Sequence, residues 1–147
     1  MDIFQILKND HQTVKDLFEQ LEGTGASAAE DRENLFLQLK TELEGHSHGE
    51  EVVFYPALRE HEEMQEMIDH ATKEHGEVAT FLEEMEELDQ KSEEWSTKLA
   101  ELQENVLQHV KEEEGEMFIQ AKALLEMEEL QTLGEEFQEA KKQAATD

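Results

Sequence analysis

The chain carries the stretch HSHGEE at residues 46–51 and a related stretch, HVKEEE, at residues 109–114. In both stretches a histidine precedes a glutamate by four positions, so one turn of an α-helix brings the two side chains onto the same face. The surrounding apolar residues recur every three or four positions, and both pairs fall on the resulting apolar stripe. Titratable side chains on a face that should be buried require an explanation.

The same periodicity predicts an all-α fold. Four amphipathic helices are expected over about 2–22, 30 to 54 or beyond, 63–87 and 93–125, with a short tail helix over about 126–143. Ser27 and Glu30 form a capping box that opens the second helix, and Pro56 marks its kink or end. Short connections make neighbouring helices antiparallel, which gives an up-down-up-down four-helix bundle with a short C-terminal helix. We assign residues 1–147 to one domain, since that length suits a single core.

Composition narrows the classes of partner. The chain has 39 acidic and 12 basic residues and a formal net charge of −27, so nucleic-acid phosphates and anionic lipids would be repelled. The absence of cysteine removes disulfides, cysteine-bound metals and thiol nucleophiles. The longest apolar run, Val52 to Leu58, is far too short to span a membrane, and the first residues do not resemble an export signal. We therefore expect a cytoplasmic protein with neither a membrane nor a nucleic acid as partner.

Two further histidines complete the pattern. The pair Asp10-His11 has a similar pair, Glu74-His75, 64 positions later. The stretch 46–51 has a similar stretch, 109–114, 63 positions later. Two helical hairpins with the same pattern should pack with approximate twofold symmetry. This arrangement predicts a cage of four imidazoles and two carboxylates, contributed by His11, His46, Glu50, His75, His109 and Glu113.

The two buried glutamates need a compensating positive charge. Burying an unpaired carboxylate costs several kcal/mol, against a domain stability of about 5–15 kcal/mol. No Lys or Arg lies on the four stripes, so a bound metal is the expected source of the charge. Six ligands of mixed nitrogen and oxygen type are too many for one tetrahedral zinc ion, and two metal ions fit better.

The residue types also suggest how two ions would be shared. One ion is assigned to His11 and His46 and the other to His75 and His109, while Glu50 and Glu113 bridge both. Coordination positions then remain for a solvent-derived oxo or hydroxo bridge and for an exogenous ligand. Imidazole with carboxylate suits iron, although manganese and zinc stay open.

These residues resemble the hemerythrin-like family, also called the HHE cation-binding domain. The resemblance rests on Asp10-His11, the stretch 42–58, Glu74-His75 and the stretch 109–114, and it extends from about residue 3 to about residue 140. It implies a non-haem di-iron centre, held inside an up-down bundle by the equivalents of the six residues named above. It also implies a protein that binds or reacts with oxygen, peroxide or nitric oxide.

Two departures from the family pattern bear on function. Oxygen-carrying hemerythrins have a second histidine one turn after the ligand of the third helix, where this chain has Ala79. Their last carboxylate is an aspartate five residues after the final histidine, whereas Glu113 follows His109 by four. Both differences favour a redox or oxygen response over reversible oxygen carriage, which stays an alternative beside iron storage, buffering or donation. No substrate pocket with an independent general acid is evident, so ligand binding is favoured over turnover.

The remaining histidines are expected outside the cage. His48 lies about 200° around the helix from His46, at about 100° per residue, and should face away from the core. His61 follows Pro56 near an interhelical turn. His70 is expected to be a solvated or boundary residue and Tyr55 a packed one, and each keeps an alternative: His70 as an additional ligand, Tyr55 as a redox-active residue or a hydrogen-bond partner near the metals.

Overall fold

The computed structural model describes residues 1–25 and 28–146, and this part of the chain is helical without strands. It is the expected up-and-down helical bundle, with a further C-terminal helix packed against the first two long helices. The α-helices are α1 Ile3–Glu22, α2 Ala29–Gly49, α3 Tyr55–Arg59, α4 Gln65–Glu87, α5 Glu93–Glu112, α6 Phe118–Leu124 and α7 Met127–Thr146. Two π-helical segments cover Glu50–Phe54 and Glu113–Met117, and a 3₁₀ turn covers Glu62–Met64.

Local capping fixes where several helices begin. The Asp2 carboxylate accepts a hydrogen bond from the Gln5 backbone N–H at 3.0 Å, and the Gln5 side chain accepts one from the Asp2 N–H at 3.3 Å. At the start of α5 the Ser92 hydroxyl accepts from the Trp95 N–H at 3.2 Å. The capping box expected at Ser27 lies outside the described residues.

The second and fourth predicted helices each contain a π-helical segment that periodicity did not predict. The Tyr55 N–H donates to the Glu50 carbonyl, and the Phe118 N–H donates to the Glu113 carbonyl, each five residues back. The wider turn rotates the residues that follow. Val53 follows Glu50 by three positions and would continue the apolar stripe of a regular α-helix, but it is only half-buried here, while Phe54 and Tyr55 are fully inside.

The core consists of two apolar clusters. One contains Phe4, Phe54 and Phe118, and the other contains Phe18 and Trp95. Along α1, Leu7 belongs to the first cluster and Val14 to the second, so His11 lies where the two clusters meet. The candidate cage is thus placed in the middle of the bundle, with apolar layers on both sides.

Helix α7 covers one side of this region and reaches three residues beyond its predicted end. The ring of Phe137 is buried and lies 5.7 Å from the ring of His46. A Cβ atom on Gly49 would lie 2.5 Å from that Phe137 ring, so glycine is needed where α7 meets α2. Among the described residues, no helix has the length and apolar character required to cross a membrane.

Candidate metal centre

All six residues predicted from the spacing meet in the middle of the bundle. Glu50 is 0% exposed and Glu113 is 1% exposed, and the four histidines are buried beside them. His46 and His75 direct Nε2 toward Glu50 Oε1, at 3.3 and 3.1 Å. His11 and His109 direct Nε2 toward Glu113 Oε1 and Oε2, at 3.4 and 3.2 Å. We call this set of six residues the centre.

The centre divides into two groups of ligand atoms. The first group contains His11, His46, Glu50 and Glu113. The second group contains Glu50, His75 and His109. Within each group the ligand atoms lie within 4.8 Å of one another. The rings of His11 and His46 are 5.0 Å apart, as are those of His75 and His109. Histidines thus pair as the spacing predicts, and Glu50 belongs to both groups.

Several buried polar atoms of the centre lack a hydrogen-bond partner, which bears on whether the centre suits a cation. Buried polar atoms without a hydrogen-bond partner include Nε2 of His11, His46 and His109, Oε2 of Glu50 and Oε1 of Glu113. Such atoms are rare in folded proteins and each requires a partner. Among the described residues, no Lys or Arg lies within 4.0 Å of either glutamate. The residues therefore fit bound cations, which would pair with these nitrogens and oxygens.

A second layer of carboxylates orients the imidazoles. Asp10 Oδ2 lies 2.9 Å from Nδ1 of His46, and Glu74 Oε1 lies 2.7 Å from Nδ1 of His109. Each of these acids directly precedes the other histidine of the same pair, Asp10 before His11 and Glu74 before His75. A hydrogen bond at Nδ1 fixes the tautomer and leaves Nε2 free to bind a metal. The two acid–histidine dipeptides are visible in the sequence, but their hydrogen bonds to His46 and His109 are not.

The residues that follow the two glutamates, Glu51 and Glu114, lie near Nδ1 of the other two histidines. Glu114 Oε2 lies 2.6 Å from Nδ1 of His11. Glu51 Oε1 lies 3.8 Å from Nδ1 of His75, which is too long for a hydrogen bond and leaves that nitrogen without a partner. In the sequence, Glu51 and Glu114 can each be recognised as the second glutamate of a pair that begins four positions after a histidine.

Tyr55 breaks the twofold pattern inside the centre. Its hydroxyl lies 3.1 Å from Glu113 Oε2 and 3.3 Å from both Glu50 Oε1 and His75 Nε2. The ring stacks on His75 with centroids 5.4 Å apart, and in the other half Phe118 stacks on His11 at 6.3 Å. One half of the centre therefore has a phenol where the other half has only an apolar ring.

Lys141 breaks the pattern a second time, at the edge of the centre. Its Nζ donates to Asp10 Oδ1 at 2.8 Å and to Glu42 Oε1 at 2.6 Å. Burial would lower the pKa of Lys141, but the two carboxylates outweigh it and raise that pKa. Lys141 on helix α7 thus holds a positive charge beside Asp10. The periodicity of the sequence does not predict this contact.

The electrostatics of the metal-free centre follow from this packing. Burial would lower the pKa of His46, but Glu50 and Asp10 outweigh it and raise that pKa to about 10. In the same way Glu113 and Glu74 raise the pKa of His109 to about 11 against the effect of burial. Without metal, protonated imidazoles would hold the positive charge that the glutamates need.

The other histidines lie outside the centre. His48 is exposed, as the helical geometry predicts, and His61 is half-buried, with Nδ1 3.9 Å from Glu63 Oε1. The side chain of His70 is 61% exposed, and its Nε2 lies 3.5 Å from Glu74 Oε2 and from Glu112 Oε2. His70 is therefore a surface residue rather than a member of the centre.

A small cavity lies directly beside the imidazoles. Its volume is about 30 Å³, and its lining includes the four histidines with Val14, Leu43, Val78, Val106 and Val110. A single water needs roughly 10–15 Å³ by this measure, so the cavity has room for about two non-hydrogen atoms. The apolar lining suits a small neutral molecule.

Comparison with known proteins agrees with the fold. The chain is similar in structure to a hemerythrin HHE cation-binding domain-containing protein from Mycobacterium kansasii, with a TM-score of 0.87 and 24% identity over 99% of this chain and 88% of that one. It is 27% identical over 96% of its length to a protein of Nostoc sp. (strain PCC 7120) named DNA nickase. The chain spans only 39% of that relative's length.

The family model provides the assignment. The hemerythrin HHE cation-binding domain matches residues 2–121, a range that contains all six residues of the centre. We conclude that this chain belongs to the hemerythrin HHE cation-binding domain family.

Proposed function

We propose that the chain is a non-haem di-iron protein that binds or reacts with oxygen, peroxide or nitric oxide. The observation that carries this proposal is the set of buried nitrogens and oxygens that face one another without hydrogen-bond partners. His11 and His46 would hold one ion, His75 and His109 would hold the other, and the two glutamates would be shared. Bound iron would supply one-electron redox chemistry and open positions for a small ligand.

The proposal of two ions rather than one is supported by the spread of the ligands. The structure separates them into two groups with Glu50 in common, and each group contains a histidine pair. Four imidazoles and two carboxylates also exceed what one tetrahedral ion would use. Iron is proposed because this ligand type suits it, and manganese and zinc are the alternatives that metal analysis would distinguish.

The surroundings of the centre favour a ligand of about two non-hydrogen atoms. The apolar cavity beside the four histidines is about 30 Å³ in volume, which would exclude larger organic substrates. Tyr55 places a hydroxyl donor 3.3 Å from His75 Nε2 and 3.1 Å from Glu113 Oε2. Burial and the two glutamates raise the pKa of this phenol well above its ordinary value, so it would remain a hydrogen-bond donor at physiological pH.

Reaction is proposed in preference to reversible carriage. Ala79 lies one turn after His75 and lines an open groove of about 480 Å³ together with that histidine. Because alanine offers no ligand atom there, the ion held by His75 and His109 would be as open as the other one. We therefore expect oxidation by air to persist when oxygen is removed.

Nucleic acid is not proposed as a partner of this chain. The nicking activity in the name of the Nostoc relative concerns a protein of which this chain spans 39%. A formal net charge of −27 opposes contact with a phosphate backbone. The cytoplasmic location expected from the sequence stays a prediction.

Metal analysis with optical spectra tests the proposed function. Protein purified in air should contain two iron ions per chain, and its spectrum should change on chemical reduction. After anaerobic reduction, exposure to air or peroxide should restore the oxidised spectrum, and removal of oxygen should not bring the reduced spectrum back. A spectrum that reverses with oxygen pressure would support the carrier instead. A spectrum insensitive to oxygen and peroxide would support iron buffering.

A further inference from the structure

An acidic groove leads from the surface to one side of the centre. Its volume is about 590 Å³, and five of the residues that line it are Glu63, Glu66, Glu74, Glu112 and Glu116. No Lys or Arg is among the described residues that line it. A cleft lined by charges of one sign concentrates ions of the other sign, so this groove would attract cations.

A cluster with the spacing of metal ligands lies at the outer part of this groove. His70 Nε2 is 3.5 Å from Glu74 Oε2 and 3.5 Å from Glu112 Oε2, and the ligand atoms of the three residues lie within 4.8 Å of one another. Atoms that each lie about 2.0–2.2 Å from one ion are separated by about 3–4 Å. The three residues therefore offer a nitrogen and two oxygens to a single cation.

The inner part of the same groove is formed by residues of the centre. His109 and Glu113 line it, and each is more than nine-tenths buried. His109 Nε2 and Glu113 Oε1 are without hydrogen-bond partners. The groove therefore ends at two residues of the centre, and their unpartnered atoms face the other residues of the centre directly behind the groove wall.

Glu74 connects the two parts. Its Oε1 lies 2.7 Å from Nδ1 of His109, and its Oε2 faces His70. One carboxylate therefore belongs both to the surface cluster and to the hydrogen bond that orients a histidine of the centre.

Among the described residues, the positions of the internal repeat that correspond to this cluster do not offer the same ligands in the other half. The positions that correspond to His70, Glu74 and Glu112 in the other half are Ile6, Asp10 and Gly49. Ile6 is buried, Gly49 packs against Phe137 of α7, and Asp10 is bound by Lys141. Helix α7 and its lysine close the equivalent side to cations.

We propose that His70, Glu74 and Glu112 form a third, weaker cation site that captures a divalent metal ion and passes it along the acidic groove to the centre. The proposal rests on the proposed function of the centre as a two-ion site. It predicts that ions reach the His75 and His109 side first, because the groove opens there.

The test uses the full-length, metal-free protein and Co²⁺ under anaerobic conditions. Equilibrium dialysis counts all bound ions, and a timed EDTA quench after rapid mixing counts only the ions protected in the buried centre. The variant is His70→Ala with Glu112→Gln, which leaves Glu74 and its contact with His109 in place. The control is His48→Ala with Glu44→Gln, which removes the same residue types from the groove on the other side of α4.

Wild-type protein should bind a third Co²⁺ more weakly than the first two. The His70→Ala, Glu112→Gln variant should lose this third ion and fill the centre at least fivefold more slowly, yet still reach two protected ions. The control should load like wild type. Absence of a third ion in wild type, or equal loading rates in the variant and the control, would overturn the proposal. If wild-type protein protects no Co²⁺ at all, the two-ion centre itself is refuted, and this inference with it.

Discussion

Oδ2 of Asp10 lies 2.9 Å from Nδ1 of His46, so the residue before one histidine of the centre orients the next histidine along the chain. The repeat reproduces the relationship between Glu74 and His109 at 2.7 Å. A histidine whose Nδ1 is held in this way presents Nε2 in a fixed direction. Less side-chain entropy is therefore lost when the metal binds.

Asp10→Asn is expected to weaken metal binding while leaving the six proposed ligands in place. Loss of a second-layer carboxylate of this kind typically reduces metal affinity by about 10- to 100-fold. Competition with a chelator of known affinity measures the change. Asp16→Asn is the matched control, because Asp16 is on the same helix and is exposed. Equal affinity in the two variants would show that the Asp10 contact does not support the centre.

Tyr55→Phe is expected to destabilise the metal-free protein more than the loaded protein. The phenol donates to Glu113 and lies beside Glu50, so its removal leaves buried carboxylate oxygens unsatisfied, at a cost of about 1–3 kcal/mol. Bound metal would satisfy the same oxygens and reduce the loss. Thermal unfolding with and without metal measures the difference. A variant as stable as wild type in the metal-free form would contradict the contact.

The proposed ligands and the other histidines should respond differently to substitution. His11→Ala, His46→Ala, His75→Ala and His109→Ala should each reduce the metal content of the purified protein. His48→Ala and His61→Ala should leave the metal content and the spectrum unchanged, because His48 is exposed and His61 lies near an interhelical turn. Loss of metal on changing His48 would contradict the placement of helical faces.

Metal uptake is expected to release protons. In the metal-free centre the carboxylates raise the pKa of His46 to about 10 and that of His109 to about 11, so both imidazoles carry a proton at pH 7.5. A metal binds only the neutral imidazole, so at least two protons should leave when the centre fills. Affinity should therefore rise with pH across the range from about 6.5 to 8.5. Titration in weakly buffered solution measures the protons released, and a value near zero would be inconsistent with imidazole ligands.

The fold and the six residues of the centre could be predicted because both depend on helical periodicity. A histidine four positions before a glutamate occupies one helical face whatever the partner helices are, and the repeat at 63 and 64 positions indicates how the halves combine. Contacts made within one turn are therefore readable from the sequence.

Other features depend on contacts between distant segments or on small deviations from the regular helix. The π-helical segments move Tyr55 into the core in place of Val53, and an ideal helical period cannot show this. Lys141 reaches Asp10 from a helix 131 positions away along the chain, and only the packing of α7 brings them together. The sequence leaves His70 open as an additional ligand of the centre. In the structure it belongs to a separate surface cluster with Glu74 and Glu112.

In the proposed arrangement, two metal ions share Glu50 and Glu113. Both glutamates are fully buried, and Glu50 belongs to both groups of ligand atoms. Glu50→Ala removes a ligand from both proposed ions, whereas Glu51→Ala removes the neighbouring, exposed carboxylate that lies 3.8 Å from His75.

The measurement is the number of metal ions per chain in purified wild type, Glu50→Ala and Glu51→Ala, with circular dichroism to verify the helical fold. The proposed arrangement predicts two ions in wild type, close to two in Glu51→Ala, and loss of both ions together in Glu50→Ala. Two tightly bound ions in folded Glu50→Ala protein, or loss of one ion with full retention of the other, would contradict it.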